Sequence, residues 1–256
     1  MSTRLEAIPA RTNLVFLALP HAAIEDVASA LARLDTFRFS RLSVCHASGI
    51  YTAAALDALR ARGATVFSFH PLQTFPRDFS PREIVPSARG ITYGVDGPPA
   101  AVRKARSLAR VLGGRVLQVP PELRPFYHAA CVVASNHLTA LLWVLERMYR
   151  RLGAGPDSFF PSFSPIIAAT LANAGRTSPA ASLSGPVARG GVETVALHFD
   201  TVAKVAPDLL PYFTAMTRET VRLARAKGSI DDRSEQALLD LCERSATPIP
   251  STGRTP

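Results

Sequence analysis

A chain of 256 residues, 47% of them apolar, is long enough to bury one large core or two modest ones. No stretch approaches the roughly 18 uninterrupted apolar residues of a membrane-spanning helix, and the start MSTRLEAIPARTN lacks the apolar segment of a secretory signal, which places the protein in the cytoplasm. The net charge of +9 raises nucleic acid as a partner, but the 29 cations, only three of them lysines, sit mostly singly on helix-like segments; that spread argues against a nucleic-acid stripe and suits a groove for a phosphate-bearing cofactor.

Residues 13–19, NLVFLAL, read as a strand covered on both faces of a parallel sheet, and PHAAIEDVASALARL follows with helical spacing at Ile24, Val27, Ala30, Leu31 and Leu34. RLSVCHASG reads as a second strand, YTAAALDALRARG as a second helix closed by Gly63, and ATVFSFHPLQTF as a third strand. This alternation is the pattern of an α/β fold with right-handed crossovers. A Pro/Arg/Ser-rich loop (76–89) leads to two further strands, GITYGVDG and RVLQVP, flanking a helix over about residues 98–112. From Phe126 onward the pattern is helical almost throughout. The expected organisation is a partial sheet domain over 1–122, an all-helical domain over 123–245, and a disordered tail over 246–256. The helix over 126–152 carries few charges before Glu146, which suits a domain centre or a subunit interface and predicts a homodimer. The three cysteines, Cys45, Cys131 and Cys242, have neither disulfide nor zinc spacing, so no metal is expected.

In open parallel sheets, ligands bind beyond the carboxyl ends of the strands. Three predicted strands carry polar residues there: His21 after Pro20, then His46 and Ser48 on either side of Ala47, then His70, Gln73 and Thr74. A single such histidine reads most simply as a loop hydrogen-bonding group, whereas His46 and His70 at adjacent strand ends predict a shared cleft. Gly49 opens the next helix, where free N–H groups favour an anion or a carbonyl oxygen, or it is a plain helix start. On the long helix, His128, Ser135 and Thr139 are seven and eleven residues apart, within roughly 20° of one face, with Asn136 to the side. Such a stripe either lines a substrate pocket, with His128 as proton donor and Asn136 as orienting group, or makes interhelical hydrogen bonds. In LSGPVARGG, Arg189 sits at the tip of a turn and is either structural or a clamp for an anionic substrate.

The ordered motifs HASG, FHPLQTFP, YHAACVVASN and LSGPVARGG, spread over about residues 13–240, resemble the bacterial Rossmann-like family with a helical DUF2520 C-terminal domain. That family is related to the 6-phosphogluconate, pyrroline-5-carboxylate and ketopantoate reductases. The resemblance implies an NADP-type dinucleotide domain followed by a dimerising helical domain, acting on a small carbonyl or imine substrate. It points to His128 and Asn136 as catalytic residues. His46, Ser48, Gly49, His70, Pro71, Gln73, Ser135, Gly185, Pro186 and Arg189 fall on the substrate side, and Pro20, His21, His46 and Ala47 beside the cofactor. Many relatives use a lysine as acid in the opening helix of the second domain. This chain has no lysine between Lys104 and Lys204, which leaves His128, an imidazole able to give up a proton near neutral pH. Gly191 stands where the family usually has Asp.

The family begins with a strand, a GxGxxG turn and a helix that holds the pyrophosphate. Only twelve residues precede Asn13 here and GxGxxG does not occur, so the first mononucleotide-binding half, on the order of 40–60 residues, is expected to be missing. A start codon assigned too far downstream or a truncation is preferred, because the substrate-side motifs are intact. The alternative is a non-catalytic dimeric module that binds a small ligand or a protein.

Overall fold

The computed structural model describes residues 4–76 and 78–246; the expected tail lies outside the described residues except for Ala246, which ends the last helix. The chain divides into two compact units, Met1–Leu138 and Thr139–Pro256.

The first unit carries the sheet. Strands β1 (Leu14–Leu17), β2 (Ser43–His46) and β3 (Thr65–Ser68) are parallel and in that spatial order. Helix α1 (Ile24–Ala32) connects the first two, and a 3-10 turn, Ala53–Leu56, running into the short α2 (Asp57–Ala61), connects the next. Side chains alternate across this sheet as the pleat requires. Val44 and Val66 join Ile24, Leu31, Leu56 and Leu59 in one core, while Cys45 and Phe67 point the other way into a second core with Ala101, Val102, Ala105 and Ala109. These alanines and Val102 belong to α4 (Pro99–Val111). Two covered faces explain why β2 is buried at all four positions. The expectation for β1 is corrected: Val15 and Leu17 face the first core, but Leu14 and Phe16 are about 40% exposed, because α4 does not extend over this edge strand.

The third predicted strand also differs. Its extended run stops at Ser68, and the chain turns so that His70–Pro71 form a two-residue strand, β4, antiparallel to β5 (Thr92–Val95); β6 (Arg115–Gln118) is parallel to β5. Pro71 therefore does not end the pairing. It lacks an N–H but sits opposite Tyr93, and the Leu72 N–H continues to the Thr92 carbonyl at 2.8 Å. The expected loop over 76–89 contains a helix, α3 (Pro81–Ser87), started by Ser80 and Pro81 with the Glu83 carboxylate accepting from the Ser80 N–H at 2.8 Å. Helix α5 (Arg124–Val132) closes the unit and passes into a π-helical turn, Val133–His137.

The second unit is all helical: α6 (Leu138–Arg151, whose first residue closes the first unit), α7 (Phe159–Arg176), the one-turn α8 (Pro179–Ser182), α9 (Val192–Val205), α10 (Leu210–Lys227) and α11 (Asp232–Ala246). Its core lies between α9, α10 and α11, from Val195 and Phe199 through Val221 and Ala224 to Leu238, Leu241 and Cys242. Arg151 and Arg147 of α6 both reach the Asp208 carboxylate, Arg151 at 2.8 Å, and the Arg151 Nε donates to the Val205 carbonyl. The fold is thus a Rossmann-like parallel sheet followed by helices.

Candidate active site at the strand ends

The site lies entirely within the first unit. The loop after β2 is built from its own polar side chains. His46 is fully buried; its Nδ1 accepts from the Ser48 N–H at 3.2 Å and its Nε2 donates to the Thr52 carbonyl at 2.9 Å. Burial holds its pKa below the ordinary histidine value, which suits this neutral, doubly engaged ring. Ser48 is buried as well, and its hydroxyl accepts from the N–H groups of Ile50 and Tyr51. Both side chains, expected to touch ligand, are spent on shaping the loop.

That loop is clamped from outside by a buried ion pair. Asp96, just past β5, accepts from the Ala53 N–H at 2.6 Å and from the Ser68 hydroxyl at 2.7 Å. The Arg124 guanidinium, with no exposed surface, lies 3.4 Å from the Asp96 carboxylate through Nε and donates through Nη2 to the Ser48 carbonyl at 2.6 Å. Burial pulls its pKa down, and Nη1 has no hydrogen-bond partner among the described residues. The knot ties the ends of β3 and β5, the 46–53 loop and the start of α5 to one another.

Against this frame stand His70 from β4 and His128 from α5, with ring centroids 6.1 Å apart; His21, exposed beside Pro20, is 6.4 Å from His128. Gly49 lies between the rings. A Cβ there would come within 2.4 Å of His128 Cδ2 and 2.9 Å of His70 Nε2, so only glycine leaves both rings where they are. The His70 Nδ1 is 2.9 Å from the Tyr127 hydroxyl. Burial foremost, then the Arg124 charge and the neighbouring histidines, holds His70 down to about 4, so it is neutral at pH 7.

His70 and His128 open onto a cavity of about 240 Å³ whose other walls include Gln73, Thr74, Cys131, Ser135 and Asn136. His128 of α5 and Ser135 and Asn136 of the π-turn thus reach one space, though not by the register that the spacing suggests, and Thr139 of the expected stripe is not among the lining residues. The π-turn inserts an extra residue at Val133–His137, so the 3.6-residue count does not carry from His128 to Thr139. Within the turn, the Ser135 hydroxyl is shared between the Cys131 carbonyl at 2.7 Å and the Asn136 amide oxygen at 2.9 Å, so this contact uses the Asn136 oxygen and not its NH₂. Gln73 donates to the Ser87 carbonyl and accepts from the Thr74 N–H, tying its loop to α3. Gly185 and Arg189 belong to the second unit, where Gly185 takes a left-handed φ of 97° and Arg189, itself exposed, ends a 3-10 turn; neither is among the residues lining this cavity. Tyr127, Arg124 and Asp96 are the participants that the sequence reading misses.

The space beside Gly49 is taken up by the His128 and His70 rings, and half-buried Ala47 and exposed His21 lie at the same strand ends. A glycine-rich turn for the pyrophosphate is not among the described residues, because β1 leads instead into the 3-10 turn His21–Ala23. No group of three or more His, Cys, Asp or Glu able to hold a metal occurs among the described residues.

Solved structures of similar fold include a Thermotoga maritima protein (20% identity, 94% of this chain and 82% of that one, TM-score 0.63) and a proposed NADP oxidoreductase from Bacteroides fragilis (18%, 88% and 79%, TM-score 0.59). A Plasmodium falciparum pyrroline carboxylate reductase with NADP bound matches at 9% identity over 92% and 77%, TM-score 0.53. No curated protein matches the sequence. Residues 91–220, more than half of the chain, match the family described as "Domain of unknown function (DUF2520)". The likeness to reductase structures is one of fold, and the chain itself belongs to the DUF2520 family.

Proposed function

We propose that this chain is an NADP-dependent oxidoreductase that reduces a small carbonyl or imine compound. The observation that carries the reading is the His70 and His128 pair, separated by a glycine at which any side chain would displace the rings, at the carboxyl ends of the strands and facing a cavity with Asn136. Nicotinamide, when bound, supplies a hydride to carbon; Pro20, His21 and Ala47 are the residues assigned to its ring end. The chain's own residues do the rest. His128 gives one proton to the developing alkoxide or amine, which completes the two-electron reduction, and the Asn136 amide orients the substrate. A cavity of about 240 Å³ suits a small substrate.

The experiment is a titration with NADPH and NADH, followed by NADPH consumption over a panel of small ketones, aldehydes and cyclic imines. His128→Ala is expected to keep cofactor binding and lose turnover by about 100-fold or more. Unchanged turnover removes His128 from the mechanism. The lack of a pyrophosphate cradle among the described residues favours one second reading, a non-catalytic dimer of the same fold, which predicts no NADPH binding at all.

We assign the homodimer to the apolar face of the helices. Phe126, Val133 and Trp143 are all more than half exposed on the long apolar helix, as are Phe160, Ile166 and Leu171 on α7, and a second copy would cover them.

A further inference from the structure

We propose that His70 presents a fixed Nε2–H donor to the sp² oxygen or nitrogen of the substrate, and that Tyr127 is the positioning residue that fixes it. The identity of the acceptor rests on the function proposed above; the state of the ring does not.

The Tyr127 hydroxyl lies 2.9 Å from His70 Nδ1, with the rings edge to face at 5.6 Å and 89°. Burial pushes the phenol pKa upward, so Tyr127 keeps its single proton at neutral pH. Its neighbours are the imidazole nitrogen and the Cys131 thiol. An imidazole nitrogen is a far stronger acceptor than a thiol sulfur, so the proton goes to Nδ1. A neutral ring that accepts at Nδ1 carries its hydrogen on Nε2. His70 is neutral at pH 7 because of its burial and because Arg124, His128, His21 and His46 face it.

Two glycines make the arrangement possible. A Cβ at Gly94, the residue paired with His70 across β4 and β5, would lie 2.3 Å from the Tyr127 oxygen, and one at Gly49 would lie 2.9 Å from His70 Nε2. Neither glycine has a positive φ, so the backbone does not require them; the space does. One clears the hydroxyl and the other clears the Nε2–H. A neutral imidazole polarises an acceptor without surrendering its proton, which leaves proton delivery to His128.

The test is ¹⁵N-resolved NMR of the histidine rings in the whole chain. His70 is expected as the neutral Nε2–H tautomer with a protonation midpoint near 4, and Tyr127→Phe, which keeps the ring and removes the hydroxyl, should convert it to a mixture of tautomers. An Nδ1–H tautomer in the parent chain, or no change in Tyr127→Phe, overturns the fixing role. Saturating cyclohexanone should move the His70 Nε2–H resonance downfield; no movement, or no binding, overturns the donor role. In an active preparation, His70→Gln, whose amide nitrogen mimics Nε2, should retain more turnover than His70→Asn, whose amide mimics Nδ1; the reverse order contradicts the proposal. Absence of turnover together with the predicted tautomer would sink the reductase reading and leave the positioning of His70 by Tyr127 standing.

Discussion

Gly49 is the residue at which the site is most sensitive, because its missing side chain is what lets His70 and His128 face the same space. Gly49→Ala is expected to weaken ligand binding strongly while costing about 1–3 kcal/mol of stability, the usual range for overpacking. Calorimetry with NADPH or a carbonyl probe, beside a urea unfolding curve, checks both. His70 adds a pH dependence whose sign is fixed by its depressed pKa. Between about 6.5 and 4 the unfolded chain binds a proton that the folded one refuses, so this contribution is complete above pH 6.5 and is lost as pH falls towards 4. At 1.36 kcal/mol per unit it amounts to at most about 3 kcal/mol. His70→Gln should remove this part of the acid destabilisation, and an unchanged acid profile would contradict the burial of a neutral His70. His70, Gln73 and His128 are legible as cavity residues because a strand end and the start of a helix are local properties of the chain, whereas Ser135 and Asn136 line the cavity from a π-turn that the spacing does not show. His46 and Ser48 share those signals, yet their polar atoms close on their own loop, and no sequence pattern distinguishes the two outcomes. Tyr127 was hidden because its partner lies 57 residues away.

Among the elements, β1, β2 and β3 as strands of a parallel sheet follow from apolar runs and turn residues, and these were readable. The turn from β3 into the antiparallel β4 was not, since FSFHPL is apolar on either side of the change in direction and the pairing with β5 is set by tertiary contacts. Helix α3 could have been read from Ser80, Pro81 and Glu83, a start signal masked by the surrounding prolines and arginines. The π-turn has no comparable signature, and it is what aims Ser135 and Asn136 into the cavity. The Asp96 and Arg124 pair holds these elements together at the site. Arg124→Met should cost about 3–5 kcal/mol, because it strands a buried carboxylate, whereas Arg124→Met combined with Asp96→Asn should recover part of that loss. Urea unfolding of the single and double variants measures the difference; full additivity would contradict a coupled pair.

At the scale of the whole molecule, α/β followed by all-α was visible from the change of texture near residue 120, and the family assignment rests on residues 91–220. The exposed apolar helix faces predict a sedimentation mass of twice 27.4 kDa. Trp143→Arg together with Leu171→Glu should shift the chain to the monomer, and a monomeric parent chain would remove the dimer from the account. What the sequence could not convey is whether and how a dinucleotide would be held, since the described residues include no glycine-rich turn. The most direct measurement is therefore a calorimetric titration of the purified chain with NADPH. The account predicts saturable binding that His128→Ala retains. No heat of binding in either protein would contradict it and leave a ligand-binding module of reductase-like fold.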